Sequence, residues 1–117
     1  MGTRADFYVN QSSWLGSIGF DGYPDGINDV IFEATSEESF RSEVHDFLKN
    51  RQDATFPEDN WPWPWTDSKT TDFAYSFDTK TGKVLVLLSE GWTVLKNIDW
   101  DKYDDDYDYK YEIVYPP

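Results

Sequence analysis

Between Asp99 and Glu112 the chain carries seven carboxylates and two lysines, a local charge of −5. Carboxylates at this density suit three kinds of chemistry: coordinating a hard cation, exchanging protons in pairs, or presenting fixed negative charge to a partner. A calcium loop of the EF-hand kind needs Gly at its sixth position and Glu at its twelfth, and counting from Asp99 those positions hold Asp104 and Lys110. No metal site is assigned. If residues 103–115 are extended, Tyr107, Tyr109, Tyr111, Ile113 and Tyr115 share one face while Asp104, Asp106, Asp108 and Glu112 share the other. Same-face neighbours on a strand lie roughly 6.6 Å apart, comparable to successive phosphates on a nucleic-acid strand, so the acids can stand in for a phosphate row. The plainer reading is a solvated edge strand whose charge prevents edge-to-edge association.

The second feature is the alternation of Trp61, Trp63 and Trp65 with Pro62 and Pro64. The prolines stiffen the segment, leaving the indoles little entropy to lose on contact, and Trp is the residue most enriched at interface hot spots. Exposed, the three form a contact surface or a platform for a sugar ring; folded back, they form a lid over a sheet.

Catalytic groups are scarce. The chain has no cysteine, hence no thiolate nucleophile, disulfide framework or Cys-ligated metal. His45 is the sole histidine and sits on an expected helix beside Val44, where a boundary position is the ordinary outcome. Carboxylate pairs are too numerous for any one to signal an acid and a base. Asp21-Gly22 and Asp25-Gly26 read as turns, since neither a Walker pattern nor Gly-x-Gly-x-x-Gly is present. The expectation is a protein that is not an enzyme and needs no cofactor.

The elements that must position these residues follow from periodicity. Residues 5–9 and 14–20 alternate as strands, joined by Asn10, Gln11, Ser12 and Ser13 into an antiparallel hairpin, with Gly16 and Gly19 marking a bulge or close approach. Residues 27–32 read as a short helix, with a strand as the alternative. Thr35 as N-cap and Glu38 as its capping-box partner start the main helix, whose stripe of Phe40, Val44, Phe47 and Leu48 must cover a sheet; Glu37 can pair with Arg41, and the helix ends near Asn50. Residues 53–69 read as loop because of Pro57, Pro62 and Pro64. Phe73, Tyr75 and Phe77 alternate in a strand, a turn over residues 78–82 leads to a central strand over 83–89, and 92–95 form one more short strand. The sum is an α+β fold: about five mostly antiparallel strands with one main helix packed on one face. Strand order is not encoded in these patterns.

Composition bounds the rest. A length of 117 residues suits one domain, 1–117, with an acidic C-terminal segment 99–117. Net charge −13 and mean hydropathy −0.72 favour disorder, but 19% aromatic residues supply enough burial for folding. With 10 basic against 23 acidic residues and no basic stripe, neither nucleic acid nor an anionic membrane is an expected direct partner; the partner is cationic. The longest apolar run, residues 84–88, falls far short of the roughly 20 residues that span a bilayer, and a cytoplasmic location is the default.

The run GTRADFYV from Gly2, WLGSI from Trp14, DGYP from Asp21, and WPWPW from Trp61 with TTD from Thr70 resemble a family of small bacterial and phage proteins over roughly the first two thirds of the chain. That family carries no assigned activity, so the resemblance implies a prokaryotic or viral setting, where small acidic proteins often inhibit nucleic-acid-handling enzymes. The first functional expectation is an inhibitor whose acids Asp101, Asp104, Asp105, Asp106, Asp108 and Glu112 engage a basic protein surface, with Trp61, Trp63 and Trp65 supplying desolvated contact. The alternative is a small-ligand or carbohydrate binder using the tryptophans and the turns around residues 21–26.

Overall fold

The structure, a computed structural model, describes residues 2–98. The extended stretch expected over 103–115, with its row of acids, lies outside the described residues. The elements are strands β1 (Ala5–Val9) and β2 (Ser13–Ile18), helices α1 (Asp29–Phe32) and α2 (Glu37–Lys49), then strands β3 (Ala54–Thr55), β4 (Phe73–Asp78), β5 (Lys83–Leu88) and β6 (Gly91–Val94).

All six strands form one sheet in the order β3-β2-β1-β4-β5-β6. Neighbours are antiparallel except β1 and β4, which run parallel from Ala5 opposite Phe73 to Val9 opposite Phe77. A parallel pair requires a long crossover, and here both helices, β3 and the tryptophan segment make it. This is the α+β fold expected, with one strand more. The extra strand is β3, inside residues expected to be loop: two residues suffice to pair Thr55 with Ser17 and Ala54 with Ile18.

The β1–β2 hairpin turns through Asn10 and Gln11, both at positive φ (52° and 61°), as a tight turn between twisted strands demands. One residue is extra in β2: Phe7 pairs with Gly16 and Tyr8 with Trp14, leaving Leu15 bulged. Gly16, at φ +146°, is required there. A Cβ would stand 2.5 Å from Leu48 Cδ1 and 2.8 Å from the Thr55 carbonyl oxygen.

Helix α2 starts one residue later than expected. Ser36, not Thr35, is the N-cap, and its box partner is Ser39, not Glu38: Ser36 Oγ accepts from the Ser39 N–H at 3.1 Å while Ser39 Oγ accepts from the Ser36 N–H at 3.4 Å. Two short hydroxyls close that box, which frees Glu38 to face water. The expected stripe holds, with Phe40, Val44, Phe47 and Leu48 buried against the sheet, as does the Glu37–Arg41 pair at 2.7 Å. Phe47 meets Phe7 edge-on at 6.2 Å, and Phe40 meets Phe77 at 5.7 Å. Each such side chain contributes on the order of 1.5–3 kcal/mol when fully buried. Val84, Val86 and Leu88 of β5 complete this layer, with β5 flanked on both sides as a strand apolar on both faces should be. Among the described residues no helix is long and apolar enough to cross a membrane.

Candidate functional site

Alternation along β1 sends Phe7 and Val9 toward α2 and sends Asp6 and Tyr8 to the opposite face of the sheet. Asp6 is nonetheless fully buried, at 0% exposure. A carboxylate removed from water must have its lone pairs satisfied. Oδ1 accepts from Ser17 Oγ at 2.5 Å and from Trp63 Nε1 at 2.7 Å, and Oδ2 accepts from Ser68 Oγ at 2.6 Å. Ser17 stands opposite Asp6 in the β1–β2 register, so the hairpin itself delivers the first donor. The other two come from the segment between β3 and β4, which folds over the sheet to reach them.

A second ring of contacts surrounds Asp6. Trp14 Nε1 donates to Ser17 Oγ at 3.0 Å, and the Tyr8 hydroxyl lies 2.7 Å from Ser68 Oγ. Since Ser68 gives its one proton to Asp6, Tyr8 is the donor in that pair. Burial, chiefly, raises the Tyr8 pKa; the Asp6 and Asp67 charges add to the rise and the Ser68 hydrogen bond opposes it.

The three tryptophans that the sequence marks as contact residues are brought together here, half-buried, as a lid. Each indole N–H has an acceptor: Trp61 donates to the Trp65 carbonyl, Trp63 to Asp6, and Trp65 to Thr71 Oγ1 at 2.8 Å. Trp61 packs edge-on against Trp14 at 5.1 Å, and Trp63 stacks on Trp65 at 5.8 Å. The Arg4 guanidinium lies 5.5 Å from both of those ring centres, a cation–π arrangement, with its Nη1 3.8 Å from Asp72 Oδ2, which also accepts from the Arg4 backbone N–H at 2.8 Å. Tyr8 touches Trp92 of β6 edge-on at 6.1 Å, so the aromatic layer spans the sheet from β2 to β6.

The turn region beside this layer is also tied into it. The Gly22 N–H donates to the Thr3 carbonyl at 2.8 Å, and the Tyr75 hydroxyl donates to the Gly22 carbonyl at 2.7 Å. Among the described residues, Phe20, Tyr23 and Val30, in and next to this region, are the large apolar side chains left exposed. On the far side of the turn, Asp53 Oδ2 accepts from the Gly19 and Phe20 N–H groups at 3.0 Å each, and Arg51 Nε donates to its Oδ1 at 2.7 Å. Desolvation is the largest influence on Asp53 and acts to raise its pKa, yet the bonds from Arg51 and Phe20 and the Arg51 charge together hold it below the usual carboxylate range.

Chemically, Asp6 is an anchor. Its oxygens are occupied by neutral donors, and no path from solvent reaches it. His45 is exposed on α2 with its ring 5.6 Å from that of Phe56, in an open depression shared with Leu15 and Arg41. Among the described residues no cluster of three His, Asp or Glu side chains could hold a metal ion. Asp101, Asp104, Asp105, Asp106, Asp108 and Glu112 lie outside the described residues and are not placed by the structure.

Sequence reasoning missed Asp6, Tyr8, Ser17, Ser68 and Arg4. One signal was available: Asp6 is an acid in the middle of an otherwise apolar strand, on the face away from the helix. Such a residue implies a second covered face with donors aimed at it, and the nearest surplus of donors is the tryptophan segment. No protein-family model, curated protein or solved structure matches the chain.

Proposed function

We propose that this is a non-catalytic acidic binding protein that engages a basic surface on a nucleic-acid-handling protein, acting as a bacterial or phage inhibitor in the cytoplasm. One observation carries the reading: among the described residues the carboxylates of Asp6 and Asp53 are buried, while most other described acids, among them Asp21, Asp25, Asp29, Glu38, Asp46 and Glu58, face outward. Much of the opposing charge is committed internally, with Arg4 near Asp72, Arg41 on Glu37, Lys49 near Asp46 and Arg51 on Asp53. The resulting field steers a cationic partner and raises its association rate. The acids from Asp101 to Glu112 form the densest part of that charge and are the contact element in this reading. Trp61, Trp63 and Trp65, fixed by their own hydrogen bonds, offer half-exposed indole surface with little ordering cost.

Binding of a flat or sugar-like ligand on the stacked Trp63–Trp65 pair is the second reading. It is favoured by the near-parallel rings, 22° apart, and it requires the ligand to compete with Arg4 for their faces. The two readings separate by salt. Immobilised full chain incubated with bacterial lysate should retain basic nucleic-acid-binding proteins at low salt and lose them at high salt. A variant with Asp104, Asp105, Asp106 and Asp108 replaced by Asn should retain none. Equal retention by the variant would overturn the proposal.

A further inference from the structure

No Lys or Arg occurs between Arg4 and Arg41, the longest base-free stretch of the chain. Within it, residues 20–33 carry Asp21, Asp25, Asp29 and Glu33, all exposed. The same segment holds Phe20, Tyr23 and Val30, exposed by 49%, 43% and 49%, the exposed large apolar side chains of the described residues. Single exposed apolar groups are ordinary, but three interleaved with acids on one short segment mark a contact surface.

These side chains are held outward. Ile27 and Ile31 already fill the core side of the segment, and Phe32 packs on Tyr75 at 5.0 Å. The bonds from the Tyr75 hydroxyl to the Gly22 carbonyl and from the Gly22 N–H to the Thr3 carbonyl pin the turn, and a Cβ at Gly22 would stand 2.7 Å from that of Ala5. Gly26 approaches the Asp21 carbonyl so closely that no side chain fits between them, which closes residues 21–26 into a loop. The Tyr23 hydroxyl donates to Asp21 Oδ1 at 3.3 Å, keeping ring and acid side by side. Val30 follows Gly26 by four residues, at most about 14 Å of chain, so a helix of three turns, about 16 Å long, can lie across all three apolar groups. A surface fixed in this way loses little entropy on contact.

Charge selects the occupant. In a pairing of two copies through this face, the acids of one would meet the acids of the other, with no base from the segment between them. Arg51, whose guanidinium lies 5.4 Å from the Phe20 ring centre, does not change this: its side chain is 17% exposed and is committed to Asp53 and the Phe20 carbonyl. Nucleic acid and anionic lipid are repelled in the same way. We propose that the face formed by Phe20, Tyr23 and Val30 docks a cationic amphipathic segment of another protein, its apolar stripe on these three side chains and its Lys or Arg residues on Asp21, Asp25 and Asp29. The inference goes beyond the proposed function, because it uses none of the acids from Asp101 to Glu112. Exposed ion pairs contribute little each, so the apolar contact sets the affinity and the acids set which partners approach. A basic surface without an apolar stripe is held weakly here, and that difference is the selectivity.

The probe is a synthetic peptide of Leu and Lys, three helical turns long, with its leucines on one stripe. A peptide of the same composition, scrambled to break the stripe, is the control, and each is titrated into the ¹⁵N-labelled full chain. The expected result is shifts of the Tyr23, Asp25, Asp29 and Val30 amides, little change at Ser12 in the β1–β2 turn, and several-fold tighter binding of the striped peptide. Tyr23→Ser with Val30→Ser should bring the striped peptide down to the affinity of the scrambled one. The melting temperature should hold, since neither side chain belongs to the core. Asp25→Asn with Asp29→Asn should weaken both peptides and flatten their salt dependence. A chain with Asp104, Asp105, Asp106 and Asp108 replaced by Asn should keep the same shifts and the same preference for the stripe, which separates this face from the proposed contact element. Equal affinity for the two peptides, largest shifts outside residues 20–33, or unchanged affinity in the Tyr23→Ser, Val30→Ser variant overturns the inference. So does a native chain that sediments as a dimer and becomes a monomer in that variant, because the face is then an interface between copies.

Discussion

The indole nitrogen of Trp63 donates to Oδ1 of Asp6 across 2.7 Å, joining residues 57 apart in the chain. Through that bond the centre of β1 holds the tryptophan segment on the sheet, and the second face of the sheet becomes a built layer with its own polar centre.

Replacing Asp6 with Ala should therefore be severe. It leaves the Trp63 indole and the Ser17 and Ser68 hydroxyls aimed at a site with no acceptor, and unsatisfied buried donors cost about 1–3 kcal/mol each. A loss of about 3 kcal/mol is expected after partial relaxation, with Asp6→Asn costing less because one carbonyl oxygen remains. Urea unfolding of both variants measures the difference; equal stabilities for the two would contradict the anchoring role.

Trp63→Phe keeps ring area but removes the donor. The expected cost is about 1–2 kcal/mol, and the tryptophan emission should shift to the red as the remaining indoles become wetter. Trp65→Phe loses only the bond to Thr71 and should cost less. The order of the two, read by thermal unfolding, tests whether Asp6 is the principal fastening point.

How much of this was legible follows residue by residue. Phe40, Val44, Phe47 and Leu48 fixed the helix because a stripe at helical spacing admits one arrangement, and Phe73, Tyr75 and Phe77 did the same for β4. The N-cap slipped by one residue since Thr35 and Ser36 are both competent caps and only the folded frame selects between them. Strand β3 was invisible because its pairing with β2 is set by where α2 ends, a long-range fact. The parallel β1–β4 pair was equally hidden. For the site, Trp61, Trp63 and Trp65 stood out by composition, while the acceptors that fix them, Asp6 and Thr71, are distant in sequence or ordinary in kind.

Gly16→Ala should destabilise by about 1–3 kcal/mol, the usual range for forcing extra atoms into a packed site. Its Cβ would press on Leu48 and on the Thr55 carbonyl at a backbone angle that side chains disfavour. Since α2, β2 and β3 meet there, chemical unfolding should register the loss in full, whereas Gly82→Ala, with open space around its Cβ, should suffer only from its positive φ.

Acid sensitivity has a defined contributor. The folded pKa of Asp53 lies below its ordinary value of 3.8, so the stabilisation it supplies is fully present above that value and is lost as pH falls through the folded pKa. Asp53→Asn should lower the melting temperature at pH 7 and flatten its decline between about pH 5 and pH 2. Parallel curves for the two proteins would show that Arg51 and the Phe20 N–H do not distinguish the charged form.

The central claim is that outward-facing carboxylates make this chain a ligand for a basic protein surface. The most direct test is the dissociation constant for a partner captured at low salt, measured across a series of salt concentrations for the native chain and for the variant with Asn at positions 104, 105, 106 and 108. The account predicts affinity that weakens steeply with salt in the native chain and is lost in the variant. Affinity independent of salt and unchanged by the four substitutions would contradict it.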